Sequence, residues 1–459
     1  MLRALLLSVP LLVLTLTALT GDPGSDPRLR KAARLAECNG WIQVHLEGSP
    51  AEIGFQHGFL LATEIEDDVR VVAAEFAHDE KREWAFFRET ARDVFWPRVD
   101  AEYRAELTGI ADGVKARGGK LDLWDIVALN SWLEVTYYTK QLNHRAGGTA
   151  ERCSAFVATG SYTSDGRVVI GHNNWSTYAD GQRWNVIFDI VPSSGYRILM
   201  DGLPGMIHSG DDFGINSAGM MITETTISGF NGFDATGVPE FVRARKAMQY
   251  AASIDDFARI MKDGNNGGYA NNWLVADRNT GEIADLELGL RNAHLERTRD
   301  GFFVGSNFPI DPRLTREETT FKPDDRASSP NARHARWLEL MKANRGAIDV
   351  AAGQRFLADH YDAIARKVQP GERTLCGHVD LSPRGVSDWL EPYAPAGTVQ
   401  NKVTSAALAG KMSFTAALGH ACGRNFRAAS HLSRHPRFAW YRPVLQDLNA
   451  RPWTEFQAQ

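Results

Sequence analysis

Apolar and polar positions recur at two different periods along this chain, and the change from one to the other divides it. From Trp41 to about residue 150 the apolar spacing is mainly helical. Ser49-Pro50-Ala51-Glu52 has the form of a capping box with proline at the first helical position, which predicts a helix over Ile53 to Glu75. A second helical stretch runs from Glu102 to Lys115 and stops at Arg117-Gly118-Gly119. A third, Leu121 to Tyr138, carries Leu123, Ile126, Val127 and Leu129 near helical spacing.

At Cys153 the period shortens. Cys153 to Thr159, Arg167 to Gly171, Trp184 to Val191, Tyr196 to Met200 and Gly219 to Ile227 are short, β-branched or alternating runs, separated by turns such as Asp165-Gly166 and Ser194-Gly195. Helical spacing returns over Val238 to Met261. Strands are predicted again at Asn272 to Asp277, Glu282 to Leu288 and Gly301 to Gly305. The remainder reads as mostly helical, with helices over Ala332 to Leu340, Ala351 to Leu357 and Ala406 to Ala417. Alternating blocks of helix and strand imply helical layers packed on sheet.

At the amino end, Arg3 precedes an apolar run from Ala4 to Leu19, shorter than the ~20 residues of a membrane-spanning helix. With Ala18 and Thr20 as small residues near its end, residues 1–21 are expected to be a signal peptide, and Asp22 to Arg30 a polar linker.

Composition narrows the chemistry. The 459 residues include 51 basic and 56 acidic ones, a net charge of −5, with 43% apolar residues. That is ordinary globular composition, and without a basic block it argues against a nucleic-acid partner. There is no G-x-S-x-G, H-E-x-x-H, Walker-type loop, G-x-G-x-x-G after a strand, or C-x-x-C. His431 and His435 could share a helix face but read as a surface pair. No metal or cofactor is expected.

A cysteine in an unusual place remains. Cys153 opens the first strand after the helical block, behind the loop Ala146-Gly147-Gly148-Thr149-Ala150-Glu151-Arg152. Breaking the bond before it would free an α-amino group with a pKa of about 7.7–8.0, able to take the thiol proton near neutral pH. One residue then supplies both nucleophile and base. A buried structural thiol is the competing reading.

The neighbouring motifs carry a resemblance. Cys153-Ser154-Ala155, Gly171-His172-Asn173-Asn174-Trp175-Ser176-Thr177-Tyr178, Asp211-Asp212-Phe213, Thr223-Glu224-Thr225-Thr226-Ile227, Gly268-Tyr269-Ala270-Asn271-Asn272-Trp273, Ser306-Asn307-Phe308-Pro309 and Gly419-His420-Ala421-Cys422-Gly423 occur in order. Together they resemble the phospholipase B-like proteins over about residues 150 to 430. Gly54-Phe55-Gln56-His57-Gly58 in the helical part looks like the related autoproteolytic acyltransferases and amidohydrolases.

This resemblance implies an α+β fold of the N-terminal-nucleophile type, an αββα sandwich of two antiparallel sheets between helical layers. Residues 22–152 would form a helical pro-segment that stays associated after cleavage, and residues 153–459 the catalytic domain. Cys153 matches the nucleophile, and His172 a histidine that orients or polarises it. Thr226, or its neighbour Thr225, matches an oxyanion partner. Asn307 matches an active-site asparagine whose amide could complete the oxyanion hole, and Arg333, or equally Arg336, an arginine beside the nucleophile. Trp175, Asn272 and Trp273 fall on the substrate side. Phe156, Trp184 and Phe213, with Trp175 and Trp273, suggest an apolar acyl pocket. Asn174-Trp175-Ser176 is a formal glycosylation sequon read as part of the motif.

With Cys153 assigned as nucleophile by the resemblance, a Cys376–Cys422 bridge is the expected disulfide, and Cys38 has no account. The implied activity is extracytoplasmic hydrolysis of acyl bonds in (phospho)lipids through a cysteine thioester, in a secreted, periplasmic or lysosomal protein. The partners are a small amphiphilic acyl substrate, transiently at a membrane or micelle surface, with no cofactor. An amidohydrolase or acyltransferase on N-acyl small molecules, and a catalytically silent binding scaffold, are the alternatives.

Overall fold

The computed structural model describes residues 26–143, 152–210, 213–386 and 390–459. The expected signal peptide, the glycine loop before Arg152 and the Asp211-Asp212 pair lie outside the described residues.

Two short strands, β1 (Ala33–Arg34) and β2 (Ile42–Gly48), precede the helical block of α1 (Pro50–Leu60), α2 (Ala62–Asp79), α3 (Trp84–Thr90), α4 (Ala101–Ala116), α5 (Leu123–Asn130) and α6 (Trp132–Leu142). The capping box forms as expected: the Ser49 N–H donates to Glu52 Oε2 at 2.8 Å, and the Glu52 N–H returns to Ser49 Oγ. The single helix expected over Ile53 to Glu75 is instead two, because Leu61 leaves helical geometry at φ −120°.

Helices α1 and α4 approach closely enough that only glycine fits between them. A Cβ at Gly54 would stand 1.9 Å from the Glu106 carbonyl oxygen, and one at Gly58 2.0 Å from that of Ile110. Gly109 and Gly113 face α1 in the same way. His57, between the first two glycines, turns to the sheet layer, where its Nε2 accepts the Gly205 N–H at 2.8 Å.

The central block runs β3 (Arg152–Thr159), β4 (Val169–Thr177), α7 (Tyr178–Gly181), β5 (Val186–Pro192), β6 (Ile198–Gly202), β7 (Gly214–Asn216), β8 (Met220–Thr226), α8 (Glu240–Tyr250), α9 (Ile254–Lys262), β9 (Asn271–Asp277), β10 (Glu282–Leu288), β11 (Ala293–Thr298) and β12 (Gly301–Gly305). The rest comprises α10 (Pro312–Glu318), α11 (Ser329–Ala343), α12 (Val350–Leu357), the hairpin β13 (Tyr361–Asp362) and β14 (Lys367–Val368), β15 (Ala396–Ser405), α13 (Ala406–Ala409), β16 (Ser413–Leu418), α14 (Ala428–Arg434) and β17 (Thr454–Gln457).

The large sheet has the order β1-β2-β5-β6-β7-β8-β9-β10-β11, and the small one β12-β3-β4-β15-β16-β17. Neighbouring strands are antiparallel, as expected, except that β2 lies parallel to β5, with Ile42 opposite Val186 and Gly48 opposite Pro192. The residues before Cys153 therefore contribute strands as well as helices, with β1 and β2 in the large sheet.

Side chains alternate across each strand and so define the layers. Ala155, Val157 and Ile170 of the small sheet meet Ile187, Leu199, Leu274 and Ala276 of the large sheet in an inner core. Phe156 and Ala158 turn the other way, onto Trp337 of α11 and Phe356 of α12. The outer face of the large sheet, with Phe188, Ile222 and Val275, packs against the amino-terminal helices and α8–α9. The result is an αββα sandwich.

The carboxy-terminal reading needs correction. The helix expected over Ala406 to Ala417 is one helical turn, α13, followed by β16, and the segment supplies three of the six strands of the small sheet. The strand β15 was hidden by its polar content: Thr398, Gln400, Asn401, Lys402 and Thr404 are all buried in it. Lys402 is satisfied across the sandwich by Asp201 of β6 at 3.0 Å. His431 is also buried rather than on the surface, with its Nε2 on the Tyr393 carbonyl at 2.9 Å.

Candidate active site

The register of β3 and β4 sets the site. Cys153 lies opposite Asn174, and Ala155 opposite His172. Opposed residues share a face, so Asn174 and His172 stand on the same inner face as Cys153. All three are fully buried. The Cys153 sulfur is 4.0 Å from Asn174 Oδ1 and 3.9 Å from Glu224 Oε1 on β8 of the opposite sheet. Donor atoms of Cys153, His172 and Glu224 lie within 4.8 Å of one another. Glu224 also accepts the hydroxyl of Tyr269, at 3.2 Å, and Tyr269 holds a left-handed backbone at φ 52°. Asn174 Nδ2 has no hydrogen-bond partner among the described residues.

The backbone of Cys153 is held from two sides. Its N–H donates to Asn307 Oδ1 at 3.1 Å, and its carbonyl accepts from Arg333 Nη1. Arg333 also donates to Asn307 Oδ1 at 2.8 Å, Ser154 Oγ at 3.1 Å and Ser329 Oγ at 3.0 Å. Its guanidinium lies over the Trp175 ring, 4.5 Å from the centroid. Of the two arginines left open by the sequence, Arg333 is the one at Cys153; Arg336 pairs with Asp359 at 2.8 Å.

Asn307 sits at φ 62°, a left-handed conformation costly for a residue with a Cβ. Its surroundings over-determine it. Asn307 Nδ2 donates to the Thr226 carbonyl at 2.8 Å, its own carbonyl accepts the Ser228 N–H, and Glu287 accepts the N–H groups of Ile310 and Asp311 in the turn that follows. Burial raises the Glu287 carboxyl to about 7. Thr226 thus meets the site through its backbone, whereas the Thr225 side chain packs against Gly305. The Asn307 amide donor, expected to serve the oxyanion hole, is already engaged.

Several expected substrate-side residues have other surroundings. Trp175 supports Arg333 and donates to the Leu375 carbonyl at 3.3 Å. Trp273 packs edge-on against Phe257 of α9, and Asn272 donates to Asp285. Phe156, Trp184 and Phe213 lie in three different cores, so the aromatic residues singled out in the sequence do not form one pocket. A cavity of about 460 Å³ lies elsewhere, between α2, α6, the end of β4 and the carboxy-terminal segment, with Phe76, Trp132, Leu133, Phe438 and Trp440 in its walls. The expected Cys376–Cys422 bridge is not formed: no disulfide joins any of the four cysteines, and the Cys376 and Cys422 sulfurs each turn to His378 Nε2 at 3.6 Å. Burial of Asn174 agrees with reading its sequon as motif.

Sequence reasoning missed Glu224 and Asn174 as functional candidates, although both lie inside quoted motifs. A charged residue in the middle of an otherwise buried strand was the available signal for Glu224, since an isolated carboxylate is expensive to bury.

A buried cysteine at the head of an inner strand of an αββα sandwich is the layout of the N-terminal-nucleophile class. The phospholipase B family model matches residues 70–287, which include Cys153, His172, Asn174 and Glu224 but end before Asn307 and Arg333. Over that segment the chain is similar to phospholipase B. It is 29% identical to phospholipase B-like 1 of Homo sapiens over 41% of this chain and 38% of that protein. It is 26% identical to putative phospholipase B-like 2 of Caenorhabditis elegans, over 40% of this chain and 34% of the relative. An uncharacterized protein of Archaeoglobus fulgidus is 27% identical over 52% of this chain and 42% of its own length. The matches thus span well under half of these relatives. Among solved structures, a variant of conjugated bile acid hydrolase from Clostridium perfringens aligns at 14% identity over 57% of this chain and 88% of that chain, with a TM-score of 0.32.

Proposed function

We propose that the protein is an extracytoplasmic hydrolase of acyl bonds that cuts itself before Cys153 and then uses that residue as nucleophile. The observation that carries this reading is the treatment of Cys153: its nitrogen, its carbonyl and its sulfur are each faced by a separate polar group. A cysteine that merely fills a core needs no such provision.

Maturation begins when the Cys153 sulfur attacks the Arg152 carbonyl carbon, with Glu224 taking the thiol proton. The C–N bond breaks as Glu224 passes that proton to the nitrogen, leaving a thioester and a free α-amino group, and water opens the thioester to give a carboxylate at Arg152 and a thiol at Cys153. In the mature enzyme, the α-amino group accepts the thiol proton while Asn307 Oδ1 holds that nitrogen in place. The thiolate attacks the substrate carbonyl. The Asn174 amide stabilises the oxyanion, the leaving group departs with a proton, and water releases the acyl group. His172, on the same face, orients the sulfur.

The substrate class proposed is a fatty acyl ester, as in phospholipids. The size of the cavity at the end of β4 and its aromatic wall of Phe76, Trp132, Phe438 and Trp440, which faces polar groups such as Glu75, Asp180 and Lys140, support an amphiphilic substrate, and Ser176 and Thr177 in its lining follow directly on the Asn174 motif. The apolar run of residues 4–19 supports export. Among the described residues no helix is long and apolar enough to cross a membrane.

Intact mass and amino-terminal sequencing of active protein, combined with a thiol-directed acyl probe, test the reading. Two associated chains, the second beginning at Cys153 and carrying the probe there, are expected. Active protein with Arg152 still bonded to Cys153 overturns the mechanism.

A further inference from the structure

Away from Cys153, on the outer side of the small sheet, four potential ligands from three segments converge: His360 after α12, Cys376 and His378 in the loop before β15, and Cys422 after β16. Their donor atoms all lie within 4.8 Å of one another. His360 Nε2 is 3.1 Å from His378 Nε2, and His378 Nε2 is 3.6 Å from each of the two sulfurs.

We propose that these four residues form a structural zinc site of the Cys₂His₂ type. Zinc bonds of about 2.0–2.1 Å to nitrogen and about 2.3 Å to sulfur, arranged as a tetrahedron, separate two nitrogens by about 3.4 Å and a nitrogen from a sulfur by about 3.6 Å. Both observed nitrogen–sulfur separations fall on this value, and the nitrogen pair at 3.1 Å lies slightly inside its own. Two sulfurs and two imidazoles in a tetrahedral set select zinc over the harder cations that prefer oxygen. On binding, both thiols release their protons to solvent, so two thiolates balance the divalent ion and the buried site carries no net charge.

The surroundings match a metal site as well. Asp380 Oδ1 lies 3.8 Å from His378 Nδ1, beyond hydrogen-bond reach but on the ring edge away from the sulfurs, where its negative charge faces a liganding imidazole. Asp380 in turn accepts the Tyr178 hydroxyl at 2.8 Å, and that hydroxyl lies 2.9 Å from His420 Nε2. The His420 ring stacks on His378, 4.1 Å between centroids. Every protein ligand position is filled and no place is left for water or substrate, which makes the site structural rather than catalytic.

The site also has a structure to support. Between the ligands, the Leu375 carbonyl accepts from Asn173 Nδ2 and Trp175 Nε1, and Gly377 is pressed so close to Trp175 that a Cβ would stand 2.2 Å from the indole. Trp175 is the platform under Arg333. Zinc would thus pin the loop that backs the layer behind Cys153. The absence of C-x-x-C hid the site in the sequence, because only Cys376 and His378 are near neighbours.

The test is metal analysis of the full-length protein expressed with zinc in the medium, with four forms compared: wild type, Cys153→Ala, Cys422→Ser and His360→Ala. One zinc per chain is expected in wild type and in Cys153→Ala, with at least a tenfold loss of bound zinc in Cys422→Ser and His360→Ala. His360 lies at the partly exposed edge of the cluster, so its variant keeps the test open should Cys422→Ser not fold. Cobalt exchanged into the wild type should show the intense visible bands of a tetrahedral thiolate site. Zinc-free wild type, zinc retained in both ligand variants, or a Cys376–Cys422 disulfide in peptides mapped without reductant would each overturn the proposal. None of these readouts depends on enzymatic activity.

Discussion

Two asparagines near Cys153 divide the work of the site. Asn307 is spent on positioning: its oxygen holds the Cys153 nitrogen and Arg333, and its amide is tied to the Thr226 carbonyl. Asn174, directly opposite Cys153 in the ladder, keeps its amide nitrogen for another group. Replacing Asn174 with Ala is therefore expected to lower kcat by ~10²–10³, as loss of one oxyanion donor does, while leaving cleavage of the precursor measurable. Replacing Asn307 with Ala should impair both steps, because the Cys153 nitrogen, leaving atom in the first step and base in the second, loses its seat. Steady-state kinetics and the fraction of uncut chain on a denaturing gel separate the two outcomes; equal effects of both substitutions on both readouts would refute this division. Glu224 belongs to the same scale. Glu224→Gln preserves the shape and the Tyr269 contact but cannot take the thiol proton, so it should slow self-cleavage far more than turnover by matured protein.

At the scale of elements, the pair α1–α4 is the least forgiving contact. Its carbonyls lie where side chains would have to be, on both helices. Overpacking typically costs about 1–3 kcal/mol, and contact with rigid backbone places Gly58→Ala at the upper end or beyond. A fall in the urea midpoint with unchanged slope is the expected result. The buried pair Lys402–Asp201, which links the two sheets, gives a second prediction: Lys402→Met leaves Asp201 buried without its cation and should cost about 3–5 kcal/mol, and adding Asp201→Leu should recover a good part of it. These contacts also show what the sequence could convey. Most strands around Cys153 were legible from their short β-branched runs, as was the capping box of α1, but β7 was not predicted and β4 continues to Thr177, six residues past its expected end, through the polar His172-Asn173-Asn174. The glycines of α1 announced a motif but not their use, since close approach depends on a partner helix far along the chain. The strand β15 was illegible because its polar residues are satisfied by tertiary contacts rather than by water, which removes the alternation that marks a strand. Within the site, residues in one local motif could be read together, but the pairing of Cys153 with Glu224, or of Asn307 with Arg333, exists only once the sheets are stacked.

Acidification acts on the molecule as a whole. Burial, together with the positive charge of Arg245, lowers the His57 pKa to about 3, so the folded protein keeps this imidazole neutral while it accepts the Gly205 N–H. The unfolded chain protonates it below about 6.5, so between those values the unfolded state binds more protons and stability rises with pH. Stability from His57 is full above about pH 6.5 and is lost as pH falls toward 3. The difference in unfolding free energy between wild type and His57→Gln should shrink on going from about pH 7 to about pH 4. A difference independent of pH would show that His57 does not titrate on unfolding.

The strand β2, which precedes the proposed cut and lies between β1 and β5, has a consequence for the life of the molecule. Before cleavage, the strand is tethered to the sheet it completes, and folding is unimolecular. Afterwards, the same sheet belongs to two chains, and reassembly after denaturation must be a second-order search between partners whose exposed apolar faces also aggregate. Maturation would thus turn a reversible fold into one that can be made only once. The uncut Cys153→Ala protein is expected to recover from urea at dilute concentration, whereas matured protein should recover poorly and in a concentration-dependent way. Its endurance would then be set by how slowly it unfolds, not by how readily it returns.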